Sequence, residues 1–250
     1  MTQTYLIAER LVEITSLFPA VHEHCREYRA EGEPELIVRT TPEDIERERE
    51  ISLREDAIEN RPGRDYPDSY LETLAVYRHI AERMPAWDTL LIHGSALALD
   101  GAAYLFAAPS GTGKSTHARL WREYLGDRVT MVNDDKPLVR IRGGGAVIFG
   151  TPWNGKHRLG ENIAVPLRAV CFIERAQENR IRPVTAAAAY PELLRQVYRP
   201  ADAAMMAGTL RLLDALCAAA SFWRLECNMD IEAARIACEA MKGQANETQE

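Results

Sequence analysis

Apolar residues along the chain fall into two regimes. Up to about residue 88 they are sparse and separated by charge. Tyr5-Leu-Ile-Ala and Leu11-Val-Glu-Ile read as short strands, and a helix is expected around Pro19 to Arg29. Leu36-Ile-Val-Arg is a further strand. Thr41-Pro-Glu-Asp-Ile opens a helix, since Thr can cap, Pro suits the first turn and the acids suit the dipole. The charge-dense stretch Glu43 to Glu50 is expected to be a solvated helix face. Leu71 to Met84 carries helical spacing, ended by Pro85.

From Thr89 the pattern becomes short apolar strands punctuated by turns. Leu90 to His93 and Ala96 to Leu99 lead into Asp100-Gly101, a two-residue hairpin signal, and Ala103 to Ala107 follows as a buried strand. A glycine-rich loop, a helix from Ser115 to Tyr124 and the strand Val129 to Val132 come next. Leu138 to Ile141 and Ala146 to Phe149 flank Arg142-Gly-Gly-Gly145 as a second hairpin. Leu167 to Ile173 is a strand beside which Ile181 to Val184 is expected to pair. Helices at about Pro191 to Tyr198, Ala201 to Ala219 and Ile231 to Met241 surround a strand at Phe222 to Glu226. Hairpins mixed with crossovers predict an α/β fold on a mixed sheet, not a doubly wound parallel one.

Charge sharpens the division. Residues 1–88 hold 20 acidic and 11 basic side chains, net −9, whereas residues 89–250 are net +2. The expected organisation is therefore an acidic α+β segment at 1–88, a near-neutral to slightly basic core domain at 89–242 and a polar, disordered tail at 243–250. A total net charge of −7 argues against nucleic acid as a partner. No apolar run reaches the length of a membrane span, and five dispersed cysteines without a CxxC pair indicate neither zinc nor a disulfide framework. The expectation is a cytoplasmic protein with no membrane partner; a homo-oligomer is left open. Of the 30 basic residues only four are lysine: Lys114, Lys136, Lys156 and Lys242. An ammonium is a compact point charge, so a lysine retained among arginines is a candidate for work a guanidinium cannot do.

The chemistry concentrates at Ala108-Pro-Ser-Gly-Thr-Gly-Lys-Ser115, a P-loop pattern with Ala at its first position. Gly111 and Gly113 permit the backbone angles that turn successive N–H groups inward on an anion. Ser110 to Thr116 would cradle the phosphates at a helix N-terminus, with Lys114 on the β/γ-phosphates and the Ser115 hydroxyl on Mg²⁺. Twenty residues after Lys114, an apolar strand delivers Asn133-Asp134-Asp135. A carboxylate there is the second half of a phosphoryl-transfer site, and two allow one metal ligand and one proton acceptor. An ordinary Asn-Asp-Asp turn is the plain alternative. Lys136 follows the acidic pair, and Lys156 closes Gly150-Thr-Pro-Trp-Asn-Gly-Lys. Either both are solvated loop residues, or Lys156 contacts phosphate or acceptor with Trp153 as a wall.

The order Ile92-His93-Gly94, hairpin, strand, glycine-rich loop, helix and strand-Asp-Asp resembles the C-terminal catalytic domain of HPr kinase/phosphorylase. The ATP-dependent phosphoenolpyruvate carboxykinases share that fold, with a Ser-Gly-Thr-Gly-Lys loop followed by Asp-Asp. The resemblance runs over about residues 89–242 and implies an α/β mixed-sheet P-loop domain of that type. It implies ATP on Gly111 to Ser115, Mg²⁺ on Ser115 and one Asp, the other Asp as general base, and His93 supporting its charge. Asp134 is expected as the base and Asp135 as the metal ligand. The implied activity is a Mg²⁺- and ATP-dependent phosphotransferase acting on a hydroxyl, either a protein or peptide serine or a small metabolite. The alternative is a nucleotide-binding switch or ATPase without a phosphorylated acceptor. His117 and the pair His22 and His24 are expected to be packing or surface residues, and Arg224, Cys227 and Asn228 to be core or loop residues that could border an adenine.

Overall fold

The computed structural model describes residues 1–58, 62–155 and 157–243. The chain divides into two compact units, Met1–Arg83 and Met84–Glu250. In the first, β1 (Thr2–Ile7) and β2 (Arg10–Thr15) form an antiparallel hairpin, and β3 (Leu36–Arg39) lies parallel to β2, giving the order β1-β2-β3. Helix α1 (Ala20–His24) ends in a 3-10 turn at Arg26–Tyr28, so the expected helix from Pro19 to Arg29 is broken at Cys25. Two longer helices follow, α2 (Pro42–Ile58) and α3 (Asp68–Arg83). The charged stretch of α2 is not wholly solvated: Glu48 is only 2% exposed and receives the Arg78 guanidinium from α3. Glu72, fully buried, accepts from the Leu17 and Phe18 amides at 2.6 and 2.8 Å and from Thr40. The carboxylate thereby fixes the loop after β2, where bare amides would be costly. His22 is a packing residue, bonded to Tyr5 Oη at 2.7 Å and to Ser16 Oγ at 2.9 Å.

The second unit is a mixed sheet with helices on both faces. Its strands are β4 (Thr89–Leu91), β5 (Ser95–Leu99), β6 (Ala102–Ala107), β7 (Val129–Asn133), β8 (Leu138–Arg142), β9 (Gly145–Phe149), β10 (Ala164–Arg175), β11 (Arg180–Pro183) and β12 (Ser221–Cys227). The path runs β4-β8-β9-β10-β6-β5-β7, with β12 also on β10. The long β10 makes this branching possible. Ala164 to Pro166 pair antiparallel with β9, and the remainder runs parallel between β6 and β12. The hairpins at Asp100-Gly101 and around Gly143-Gly144 form as expected, with positive φ at all four positions. One pairing differs: β11 lies antiparallel to β12 and not beside β10.

Strand β6 shows how the layers are held. Ala103, Leu105 and Ala107 point to one face and pack with Leu193, Leu213 and Leu216 of α5 (Ala186–Gln196) and α6 (Ala203–Ala219). Tyr104 and Phe106 point to the other and meet Trp121 and Met241 of α4 (Lys114–Leu125) and α7 (Ile231–Gly243). Helix α5 begins at its cap Thr185, six residues before Pro191; the alanine run supplies the first turn and the proline sits inside. Residues 244–250 of the expected tail lie outside the described residues, and no helix among the latter is long and apolar enough to cross a membrane.

Candidate active site

The site lies where parallel strands β6 and β10 end, the edge at which open α/β sheets bind ligands. Residues 108–113 turn from β6 into α4. Gly111 and Gly113 hold φ at +74° and +127°, angles that residues with a Cβ rarely adopt, so the glycines are required here by conformation. Gly113 is the N-cap of α4; it supplies no side-chain cap, and the first turn holds no acid. The positive end of the helix is therefore left to something other than a side chain. Lys114 is 8% exposed, and its Nζ donates to Ala108 O at 2.9 Å and Pro109 O at 3.4 Å. The ammonium thus lies across the entrance of the loop. Ser110, Gly111 and Ser115 are exposed, and Thr112 and Thr116 half-buried.

The acidic pair follows β7. Asn133, fully buried, sets its shape: Oδ1 accepts from the Asp135 amide at 2.8 Å and the Lys136 amide at 2.7 Å. Its Nδ2 donates to Thr151 Oγ1 at 2.9 Å and to the Trp153 carbonyl at 3.3 Å. One side chain therefore folds the acidic turn and ties it to the loop 150–155. Gly155, at φ +76°, lies against the Asp134 backbone, and Gly150 and Gly160 pack on Val132 O too closely for a side chain.

The two carboxylates occupy different surroundings. Asp134 is buried and accepts from Ser95 Oγ at 2.7 Å and from the Ser115 hydroxyl. Burial pushes its carboxyl above the usual range; the two serine hydroxyls and His157 oppose that shift, and the Asp135 charge adds to it. Asp135 is about one-third exposed, with Oδ1 3.5 Å from His93 Nε2. The His93 amide donates to Gln196 O at 2.8 Å, and the Gly94 amide to Asp135 O at 2.9 Å. Gly94 crosses β6 so closely that a Cβ would stand 2.8 Å from Phe106 O. The Ile92-His93-Gly94 segment is thus held against the acidic turn by its backbone.

Of the residues expected from sequence, the fold gathers Ser115, Asp134, Asp135 and His93 at one place, beside the loop carrying Lys114. Lys136 is half-buried, with its backbone amide on Asn133. Trp153 is 5% exposed, a packed side chain. Lys156 lies outside the described residues. Ser95, Asn133, His157 and Arg175 belong to the site without having been singled out. Arg175, at the end of β10, donates from Nε to Thr112 O at 3.0 Å and from Nη2 to Gly111 O, belting the glycine-rich loop. Its signal was a charged end on an apolar strand, which acquires meaning only once β10 is known to flank β6. Arg224 instead pairs with Glu174 and Glu192, and His117 is buried.

Fold and site together define an α/β domain in which a glycine-rich strand-to-helix loop faces an Asp-Asp turn. The chain belongs to the family described as SynChlorMet cassette protein ScmC, whose profile matches residues 68–201. No curated protein matches it. Among solved structures it is similar to the Hpr(Ser) kinase/phosphatase from Coxiella burnetii, at 10% identity and a TM-score of 0.33, over 61% of this chain and 99% of that one. So distant a likeness bears on neither activity nor substrate.

Proposed function

We propose that this chain is a Mg²⁺-dependent phosphotransferase that moves the γ-phosphoryl of ATP to a hydroxyl acceptor, with residues 108–115 as a P-loop. The observation that carries the reading is the division of labour in the acidic pair. Asp134 shares a hydrogen bond with the Ser115 hydroxyl, while Asp135 stands beside His93 and is open to solvent. The environments favour the reverse of the order expected from sequence: Asp134 as metal ligand and Asp135 as base.

The residues present fit both groups. A helix N-terminus without cap or acid, positive-φ glycines and a lysine ammonium suit a polyphosphate. Two hard oxygen donors, Ser115 Oγ and the Asp134 carboxylate, would hold a Mg²⁺. Held there, such an ion would neutralise charge on the transferring group. Asp135 takes the proton from the acceptor hydroxyl, whose oxygen bonds to the γ-phosphorus as the bridging P–O bond breaks and ADP departs. His93, with Nε2 3.5 Å from Oδ1, positions that carboxylate. Lys114 and the loop amides meet the charge on the leaving phosphates.

The test uses the full chain with γ-labelled ATP, Mg²⁺ and cell extract separated by size. Label should pass to one fraction. Asp135→Asn should cut transfer by roughly 10²–10⁴ while leaving nucleotide affinity nearly unchanged. Asp134→Asn should instead weaken Mg²⁺-dependent nucleotide binding. Transfer that survives Asp135→Asn would remove that residue as base. Tight nucleotide binding by wild type with no transfer to any fraction would favour the regulatory switch.

A further inference from the structure

The first unit carries a basic groove on an otherwise acidic stretch of chain. Strand β3 pairs with β2 on one side, and among the described residues no strand pairs with its other side. Strand alternation turns every second peptide group of β3 toward that open edge. A groove of about 440 Å³ runs there, lined by Leu36 to Arg39 with His79 and Arg83 of α3. It contains three basic side chains and no acidic one, within a region whose net charge is −9 over residues 1–88.

The three side chains are not equivalent. His79 is held 3.2 Å from Asp44. Arg39 and Arg83 are exposed and make no ion pair among the described residues. Ile37, at 53% exposure, adds an apolar surface beside them. Glu31, Glu33 and Glu35 precede the strand and are exposed, so charge along this edge runs from acidic before β3 to basic at its end.

We propose that the open edge of β3 docks an extended acidic peptide, which adds to the sheet as a fourth strand and lays its carboxylates on Arg39 and Arg83. Main-chain hydrogen bonds to an unpaired edge give such a complex its affinity, and the side chains flanking it give selectivity. The occupant is acidic because the two unengaged charges are guanidiniums, which match carboxylates with a planar fork. Its acidic residues lie toward the Arg39 end, away from Glu31 and Glu33. The inference stands apart from the phosphotransferase reading, because it concerns a different unit and is tested without nucleotide.

The experiment titrates the full chain into a labelled peptide of alternating valine and threonine carrying two aspartates, read by fluorescence anisotropy. Saturable binding is expected. The double variant Arg39→Glu, Arg83→Glu should weaken it about tenfold or more, and both side chains are exposed, so the variant keeps its fold. A peptide with one central valine replaced by proline should lose binding, because proline removes a ladder donor. Absence of saturable binding, an unchanged affinity in the double variant, or equal binding of the proline peptide would each overturn the proposal. So would sedimentation showing a wild-type dimer that the same double variant dissociates, which would assign the edge to a second copy.

Discussion

Replacing Asn133 by alanine tests whether one buried amide organises the site. The substitution removes the acceptor for the Asp135 and Lys136 amides and the donor that reaches Thr151 and Trp153. Water can partly rescue the two amides, whose bonds are half-buried, so each costs near the low end of the orphan penalty, about 1 kcal/mol. The link to Thr151 and Trp153 is buried and cannot be replaced so easily, adding about 1–2 kcal/mol. The sum is about 3–4 kcal/mol, which for a chain of this length lowers the melting temperature by about 6–16 °C. Thr151→Val removes only the hydroxyl partner and should cost about 1 kcal/mol. The assay is thermal unfolding of both variants, followed by nucleotide affinity and phosphoryl transfer on the folded proteins. Transfer should fall more than affinity, because the acidic turn loses its shape while residues 108–113 do not contact Asn133. An Asn133→Ala protein that melts within about 2 °C of wild type and transfers phosphate normally would refute the reasoning.

Two further predictions concern pH. His117 is buried neutral, its pKa pushed down to about 3 by desolvation, and it accepts from Trp121 Nε1 at 3.0 Å. Its contribution is intact above pH 6.5 and is lost as acid approaches the folded pKa, on the order of 3 kcal/mol for the first two pH units. His117→Gln should therefore flatten the fall in urea midpoint between pH 6.5 and 4.5, and parallel wild-type and variant curves would count against it. The Asp134 carboxyl is shifted the other way, upward by burial. Stability associated with it is present below the ordinary carboxylate pKa and is lost as pH rises through the raised one. Asp134→Asn should accordingly melt higher than wild type at pH 7.5 without nucleotide, with the advantage shrinking toward pH 4; a lower melting point at pH 7.5 would contradict the burial argument.

What the sequence disclosed follows the range of the interactions involved. The strand-loop-helix at residues 102–125 is encoded locally, by an apolar run, two glycines and a helix-forming segment, and its parts appear where the pattern places them. The Asp100-Gly101 hairpin is equally local. Asn133 was visible only as a turn former, because its partners at Thr151 and Trp153 come from a distant loop. Ser95 and Arg175 reach the site through pairing of β5 and β10 with β6, which no short window contains. Strand β11 was given the wrong neighbour for the same reason: its own residues fit an edge position but do not say whose edge. Proline at position 191 misled locally, since it is favoured at a helix start yet here follows an alanine turn capped by Thr185.

The Arg175 belt has a consequence for the entropy of the loop it holds. Glycine gives up more conformational freedom on ordering than any other residue, and residues 108–113 include two of them at angles other residues avoid. An unbelted loop would meet that loss each time an anion bound. With Gly111 and Thr112 carbonyls already fastened to the end of β10, the loss falls on folding instead, and the anion meets a cradle already shaped. On the phosphotransferase reading proposed above, the guanidinium would act on how tightly a phosphate is held without needing to touch it.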